Sequence, residues 1–139
     1  MVVNRLHIAR ALYFWPSAIV LAVIIYATWL PAPLGSQPLP PIPDIDKLIH
    51  AVFGGGLAGA IIFDCKRSRP QSRAIAPAAL AYIICVSMAL MAVDEAVQGI
   101  LPIGRPSDAF DLLADWGGIA VAALTAPAAT DWLLRHLSR

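Results

Sequence analysis

Charged residues are scarce in this chain, and their scarcity excludes an ordinary soluble domain. Asp, Glu, Lys and Arg make up 14% of the 139 residues, whereas hydrophobic types make up 59%. Soluble domains average roughly 25% charged and 45–50% apolar residues. The composition therefore predicts an integral membrane protein, and the length predicts a single domain over residues 1–139. We expect no nucleic-acid partner, although the net charge of +1 itself says little, because in a membrane protein the distribution of charge along the chain matters more.

Cysteine is equally scarce. Cys65 and Cys85 have no metal-type spacing and should lie at different membrane depths, so we expect no disulfide. No serine stands out as a nucleophile, because Ser107 can cap a helix and Ser87 is isolated in an apolar run. The sequence thus weakens a covalent mechanism and identifies no cofactor.

Long apolar runs are abundant. Four of them, separated by polar or proline-rich connections, predict membrane-spanning helices at about residues 11–30, 46–64, 74–98 and 108–134. At about 1.5 Å per residue, such a run crosses a hydrocarbon core of roughly 30 Å. The predicted fold is an all-α polytopic membrane protein with four transmembrane helices.

The basic residues predict how these helices are oriented. Eight of the ten Lys and Arg residues fall in the N-terminus, in the connection at residues 64–73 and in the C-terminus. Four spans place these segments on one side of the membrane. Because cytoplasmic loops are enriched in Lys and Arg, both termini are expected inside and most acidic residues outside.

Proline and glycine are placed unevenly along the chain. Residues 31–43 contain six of the twelve prolines, which predicts an extended, partly polyproline-like linker. The second apolar run contains small residues at spacings that let helices approach closely in lipid. No strand precedes them, so packing is favoured over a phosphate-binding role. These residues are Gly54, Gly55, Gly56 and Gly59.

Polar side chains gather where the third and fourth runs meet. Spacings of three and four residues place each set on one helix face, and the short connection at residues 99–106 should fold the two helices together. The second helix adds three more polar groups at the same end. The combined set is Asp46, Lys47, His50, Asp94, Glu95, Gln98, Arg105, Asp108, Asp111 and Asp115.

These groups differ in how strongly they indicate a site. An ionisable residue at the centre of a membrane helix costs roughly 2.5–3.5 kcal/mol on insertion scales and is usually functional, but one near a helix end can reach the interface at little cost. We therefore assign Asp44, Asp94 and Asp108 to solvated helix ends. Five residues at matching depths on three helices favour a site, namely His50, Glu95, Gln98, Arg105 and Asp111.

The same residues form a pattern that resembles a known family. Asp46-Lys47-x-x-His50 opens the second helix, Glu95-x-x-Gln98 closes the third, and Arg105, Asp108 and Asp111 precede Gly117 and Gly118 in the fourth. This combination resembles the VanZ-like family of small bacterial membrane proteins over about residues 44–122. Asp115 departs from the pattern, since the family usually has Asn there. The resemblance implies a protein of the bacterial cytoplasmic membrane, in a family named after a member associated with resistance to the glycopeptide antibiotic teicoplanin.

An outward-facing enzyme or modifying factor is the first functional hypothesis. It would act on a lipid-linked cell-envelope component, with Glu95 or His50 as general acid or base and Arg105 holding a phosphate or carboxylate. The catalytic candidates are Glu95, His50, Arg105 and Asp111. The candidate substrate-binding residues are Asp46, Lys47, Gln98, Asp108 and Asp115.

Other hypotheses stay open at this point. The protein could bind a lipid or precursor without catalysis, conduct protons or ions along its acidic side chains, or use the polar cluster only as a structural clamp. A divalent cation on His50, Glu95 and Asp111 would balance the acidic charge, but the sequence has no tight two-ligand motif, and we predict no metal site. A transporter would need oligomers, because four short helices enclose little volume.

The topology gives the first testable prediction. Reporter fusions after Pro38 and after Arg69 should report opposite sides of the membrane, because the second predicted helix lies between them. Activity of a periplasmic reporter and fluorescence of a cytoplasmic one measure this directly. If both fusions report the same side, the four-helix topology is wrong.

Overall fold

The computed structural model describes residues 14–30, 44–69, 74–101 and 107–137, and these residues form four α-helices and no strand. The helices are α1 (Trp15–Trp29), α2 (Ile45–Arg67), α3 (Pro77–Ile100) and α4 (Ala109–Leu137). The all-helical prediction is thereby confirmed. The predicted linker at residues 31–43 and the candidate residue Arg105 lie outside the described residues.

Three of the helices are long and apolar enough to cross a membrane, namely α2, α3 and α4. They have 23, 24 and 29 residues. The 15 described residues of α1 are also apolar, but they extend only about 22 Å. The helices thus identify a membrane protein, while a fourth span formed by α1 stays a prediction.

Several helix boundaries differ by two or three residues from those predicted, and two of these differences have a clear physical reason. α3 begins at Pro77 rather than at residue 74, because proline lacks an N–H and has the backbone angle that the first helical position requires. α2 continues to Arg67 rather than ending at residue 64. Asp64 and Lys66 are buried against other helices, so this last turn belongs to the bundle and not to the predicted basic connection.

α2 and α4 run parallel to each other. His50 of α2 contacts Asp115 of α4, and sixteen residues further along both helices Lys66 contacts Asp131. Sixteen helical residues correspond to about 24 Å. The two helices therefore stay side by side over most of the thickness of a hydrocarbon core.

α1 and α3 run in the opposite direction. Glu95 near the end of α3 accepts a hydrogen bond from the backbone N–H of Asp108 just before α4. Ser17 at the start of α1 donates its backbone N–H to Asp64 near the end of α2. The bundle consequently has two polar ends. We call the end with His50 the acidic end and the end with Lys66 the basic end.

Glycines bring the backbones of α2 and α4 into contact. A β-carbon on Gly54 would overlap the backbone of Asp115, and one on Gly118 would overlap the carbonyl of Ala51. A β-carbon on Gly55 would lie 3.0 Å from the carbonyl oxygen of Gly118. The predicted packing role is confirmed for Gly54 and Gly55. The other two glycines of that run have only ordinary contacts, namely Gly56 and Gly59.

Apolar side chains fill the bundle between its polar ends and also cover its outside. The buried core consists of Ile24, Leu57, Ala58, Met91, Ile119 and Ala122. Large apolar side chains are also exposed on every helix, including Val23, Val52, Tyr82, Phe110 and Leu124. A helix that is apolar on both its inner and outer faces is typical of a bundle surrounded by lipid.

Adjacent glycines of α4 provide a matched test of this packing. Gly118→Ala should destabilise the protein by about 1–3 kcal/mol, because the added methyl group forces two backbones apart. Gly117→Ala has open space around it and should leave stability unchanged or slightly higher, since Ala favours a helix over Gly. Thermal unfolding in mild detergent measures both. Equal melting temperatures for the two variants would contradict the packing described.

Candidate functional site

His50 lies at the centre of the acidic end and is buried between two carboxylates. Its Nδ1 is 3.1 Å from Oδ2 of Asp115, and its Nε2 is 3.6 Å from Oδ2 of Asp111. The two aspartates are four residues apart on α4, so they share the helix face that α2 contacts. Both nitrogens of the imidazole therefore face an acidic group.

Lys47 continues this arrangement toward the surface. It lies three residues before His50 on α2, and its Nζ is 3.7 Å from Oδ1 of Asp111. The same ammonium is 3.3 Å from Asp46 and 3.8 Å from Asp44. Asp111 consequently faces His50 with one oxygen and Lys47 with the other. Side-chain exposure falls from Asp44 at the surface to the fully buried Asp115.

Glu95 approaches from α3 and is 5% exposed. Its Oε1 accepts the backbone N–H of Asp108, and its side chain lies close enough to interact electrostatically with His50 and Asp115. The carboxylate of Asp108 in turn accepts the N–H of Phe110 at 2.8 Å. Asp108 is thus the capping residue of α4, and the expectation that Ser107 caps this helix was wrong.

Three buried carboxylate oxygens in this region have no hydrogen-bond partner among the described residues. They are Oε2 of Glu95, Oδ1 of Asp111, which faces Lys47 only as an ion pair at 3.7 Å, and Oδ1 of Asp115. Buried acceptors are nearly always paired, and leaving one unpaired costs about 1–3 kcal/mol or more for a charged group. We call Lys47, His50, Glu95, Asp111 and Asp115 the His50 cluster. The unpaired buried oxygens of this cluster are hydrogen-bond acceptors, so the cluster can bind a proton or a hydrogen-bond donor.

Asp94 is buried, which corrects its assignment to a solvated helix end. It is 6% exposed and accepts three hydrogen bonds. Thr28 Oγ1 and Trp29 Nε1 donate to its Oδ1 at 2.8 and 2.7 Å. Gln98 Nε2 donates to its Oδ2 at 2.9 Å. These four residues form the Asp94 network, which joins α1 to α3 and uses Gln98, predicted to bind substrate, as an internal donor.

The importance of Asp94 had a signal in the sequence. Ser87, Met91, Asp94 and Gln98 follow one another at spacings of four, three and four residues, and all four are buried. This is the periodicity of a single helix face. A reading of α3 by that period would have placed Asp94 inside the bundle.

Sequence reasoning also missed a buried polar group at the basic end. Asp64 is fully buried, and its Oδ2 accepts the backbone N–H of Ser17 at 3.0 Å. Lys66 Nζ lies 2.7 Å from Oδ1 of Asp131 and donates to the carbonyl of Pro127 at 3.0 Å. The charge of Lys66 is therefore paired inside the protein instead of lying in the predicted loop.

Within the described ranges, no group of three His, Cys, Asp or Glu side chains has an arrangement that could hold a metal ion. His50 and Asp111, weighed for such a role, face each other instead.

No protein-family model, curated protein or solved structure matches the chain. The VanZ-like resemblance accordingly rests on the residue pattern.

The Asp94 network gives a stability prediction. Asp94→Asn should lower the free energy of unfolding by about 1–3 kcal/mol. The NH2 group that replaces one carboxylate oxygen is a donor, so it cannot accept the hydrogen bonds that this oxygen receives. Asp44→Asn is the matched control, since that side chain is largely exposed. Thermal unfolding in detergent compares the two. Coincident curves for Asp94→Asn and Asp44→Asn would show that the network does not hold α1 in place.

Proposed function

We propose that this chain is a VanZ-like protein of the bacterial cytoplasmic membrane that handles a lipid-linked cell-envelope component at its acidic end. The observation that carries the proposal is the buried His50 held between Asp111 and Asp115. A buried, ionisable cluster inside a membrane protein is expensive and is usually retained for function. The pattern of residues supports the family assignment, and the geometry supports the location of the site.

His50 has the surroundings of an acid–base group. Asp115 at Nδ1 fixes the orientation of the ring and favours one tautomer, as a carboxylate does for a catalytic histidine. Nε2 then faces Asp111, the less deeply buried of the two aspartates, and exchanges protons on that side. Glu95 supplies a second carboxyl, one oxygen of which has no donor from any residue that the structure describes. Arg105, outside the described residues, keeps its predicted role of holding a phosphate or carboxylate.

Two contacts of α1 support its inclusion as a fourth span. Its first turn binds Asp64 at the basic end, and its last turn binds Asp94 at the acidic end. α1 therefore runs the distance between the two polar ends beside α2. With the distribution of basic residues along the sequence, this favours a four-span topology in which the acidic end faces outward.

A structural clamp is the second candidate, and the Asp94 network favours it for part of the acidic end. Oδ1 of Asp94 accepts hydrogen bonds from two residues of α1, and Oδ2 accepts one from Gln98 of α3 itself. The His50 cluster differs, because Glu95 and Asp115 each keep a buried oxygen without a donor among the described residues. A structural clamp is expected to pair such oxygens. The described contacts therefore favour the clamp for Asp94 and Gln98 rather than for the His50 cluster.

Native mass spectrometry tests the proposal. Wild-type protein incubated in mild detergent with a bacterial membrane lipid extract should retain a lipid or envelope precursor. The double variant Glu95→Gln/Arg105→Ala should retain at least about tenfold less ligand, because the first substitution removes a carboxylate and the second removes an anion-holding group. His50→Gln should still retain the ligand. If the wild type changes the ligand chemically, this variant should not, and liquid chromatography with mass spectrometry measures the change.

The melting temperature of each variant is the control for folding. An empty wild type, together with a double variant that has lost thermal stability, would refute substrate handling and favour the structural clamp. The exposed variant Asp44→Asn should behave as wild type in both measurements.

A further inference from the structure

We infer that the group bound at the His50 cluster is a protonated primary amine on a lipid-anchored molecule. This inference rests on the proposed function, because it names the chemistry of the ligand that the same site would hold. It follows from the unpaired buried oxygens of the cluster, from the ion pairs of its cations and from the decrease in side-chain exposure from the surface to Asp115.

The buried side-chain atoms of the His50 cluster that lack a hydrogen-bond partner among the described residues are all acceptors. Oε2 of Glu95 and Oδ1 of Asp115 are buried without a donor among the described residues, on side chains that are 5% and 1% exposed. Carboxylates accept hydrogen bonds and prefer charged donors. A ligand that supplied an N–H group to either oxygen would remove the cost of leaving that oxygen unpaired.

The cations of the cluster are already engaged. Lys47 lies within 4 Å of three aspartates, and both nitrogens of His50 face Asp111 and Asp115. An anionic group entering here would have to displace one of these pairs and would meet further carboxylates. A cationic group meets complementary charge instead.

An ammonium fits better than other cationic or neutral donors. A primary ammonium has a positive charge and three N–H donors, so it can donate to an unpaired carboxylate oxygen while its charge is balanced by the neighbouring carboxylates. A quaternary ammonium has the charge but no donor. A hydroxyl has a donor but no charge. Metal ions are disfavoured because the described side chains form no suitable set of three ligands.

The cluster is within reach of a headgroup at the membrane interface. His50 lies five residues after the start of α2, which is about 8 Å along the axis. Side-chain exposure decreases from 50% at Asp46 through 16% at Asp111 to 1% at Asp115. This series of carboxylates, from the surface to the interior, would attract an amine of either a phospholipid headgroup or a lipid-linked precursor.

Selective blocking of amines tests the inference on the wild-type protein. The same bacterial lipid extract is used untreated and after reaction with N-hydroxysuccinimidyl acetate, which converts primary amines into neutral amides. Native mass spectrometry should show at least about tenfold less retained ligand from the treated extract, since charge-assisted hydrogen bonds are lost. Equal retention from both extracts would overturn the amine assignment while leaving the proposed lipid handling intact.

Purified phospholipids identify the source of the amine. Ethanolamine and choline headgroups on the same acyl chains are compared at equal concentration. Preference for the ethanolamine lipid assigns the site to a phospholipid amine. Retention of an amine from the extract, without retention of the ethanolamine lipid, assigns it to a precursor. Equal retention of the choline and ethanolamine lipids contradicts the inference, because choline offers no N–H donor.

Variants then locate the binding. Glu95→Gln and Asp115→Asn keep side-chain size and should each lower amine-lipid retention about tenfold, whereas the exposed Asp44→Asn should not. Gln at position 95 still accepts the Asp108 N–H, so the start of α4 is preserved. If the wild type retains no lipid from any extract, the proposed function fails and the amine inference fails with it.

Discussion

The backbone contact between α2 and α4 determines where the polar groups of this protein meet. Gly54 and Gly118 allow the two helices to approach more closely than any side chain would permit. Because the helices are also parallel, residues at matching positions pair along their length. His50 meets Asp115 at one end, and sixteen residues later Lys66 meets Asp131 at the other. In lipid, where apolar burial does not drive helix association, such contact between small residues and such polar pairs hold helices together.

Carboxylates of neighbouring helices complete the starts of α1 and α4. The first N–H groups of a helix have no partner within it, and inside a membrane water is not available to bind them. Asp64 of α2 accepts the N–H of Ser17 in α1, and Glu95 of α3 accepts that of Asp108 before α4. These two acidic residues therefore have a structural role that does not depend on any ligand. The second oxygen of Glu95 has no donor within the described ranges, which links the structural role to the candidate site.

The acidic end contains two kinds of polar arrangement with different consequences. Every oxygen of Asp94 is paired with a donor from α1 or α3, which makes this residue a fixed connection between helices. The His50 cluster, by contrast, balances a histidine and a lysine against several carboxylates and leaves three buried acceptors without a hydrogen-bond donor in the described part of the chain. Unpaired buried acceptors are stable only when a proton or a donor reaches them. This difference is the physical reason for placing the function at His50 and the structural role at Asp94.

The sequence alone predicted the membrane class, the all-helical fold, the packing role of Gly54 and the candidate role of His50, because hydropathy and helical spacing are local properties of the chain. It also identified the acidic end. Tertiary structure decided what each charge does there. Asp94 was assigned to solvent and is buried, because its donors Thr28 and Trp29 are over 60 residues away in the chain. Lys66 was placed in a loop and is buried, because its partner is Asp131. Such pairings depend on which helices become neighbours, and no spacing within one helix contains that information.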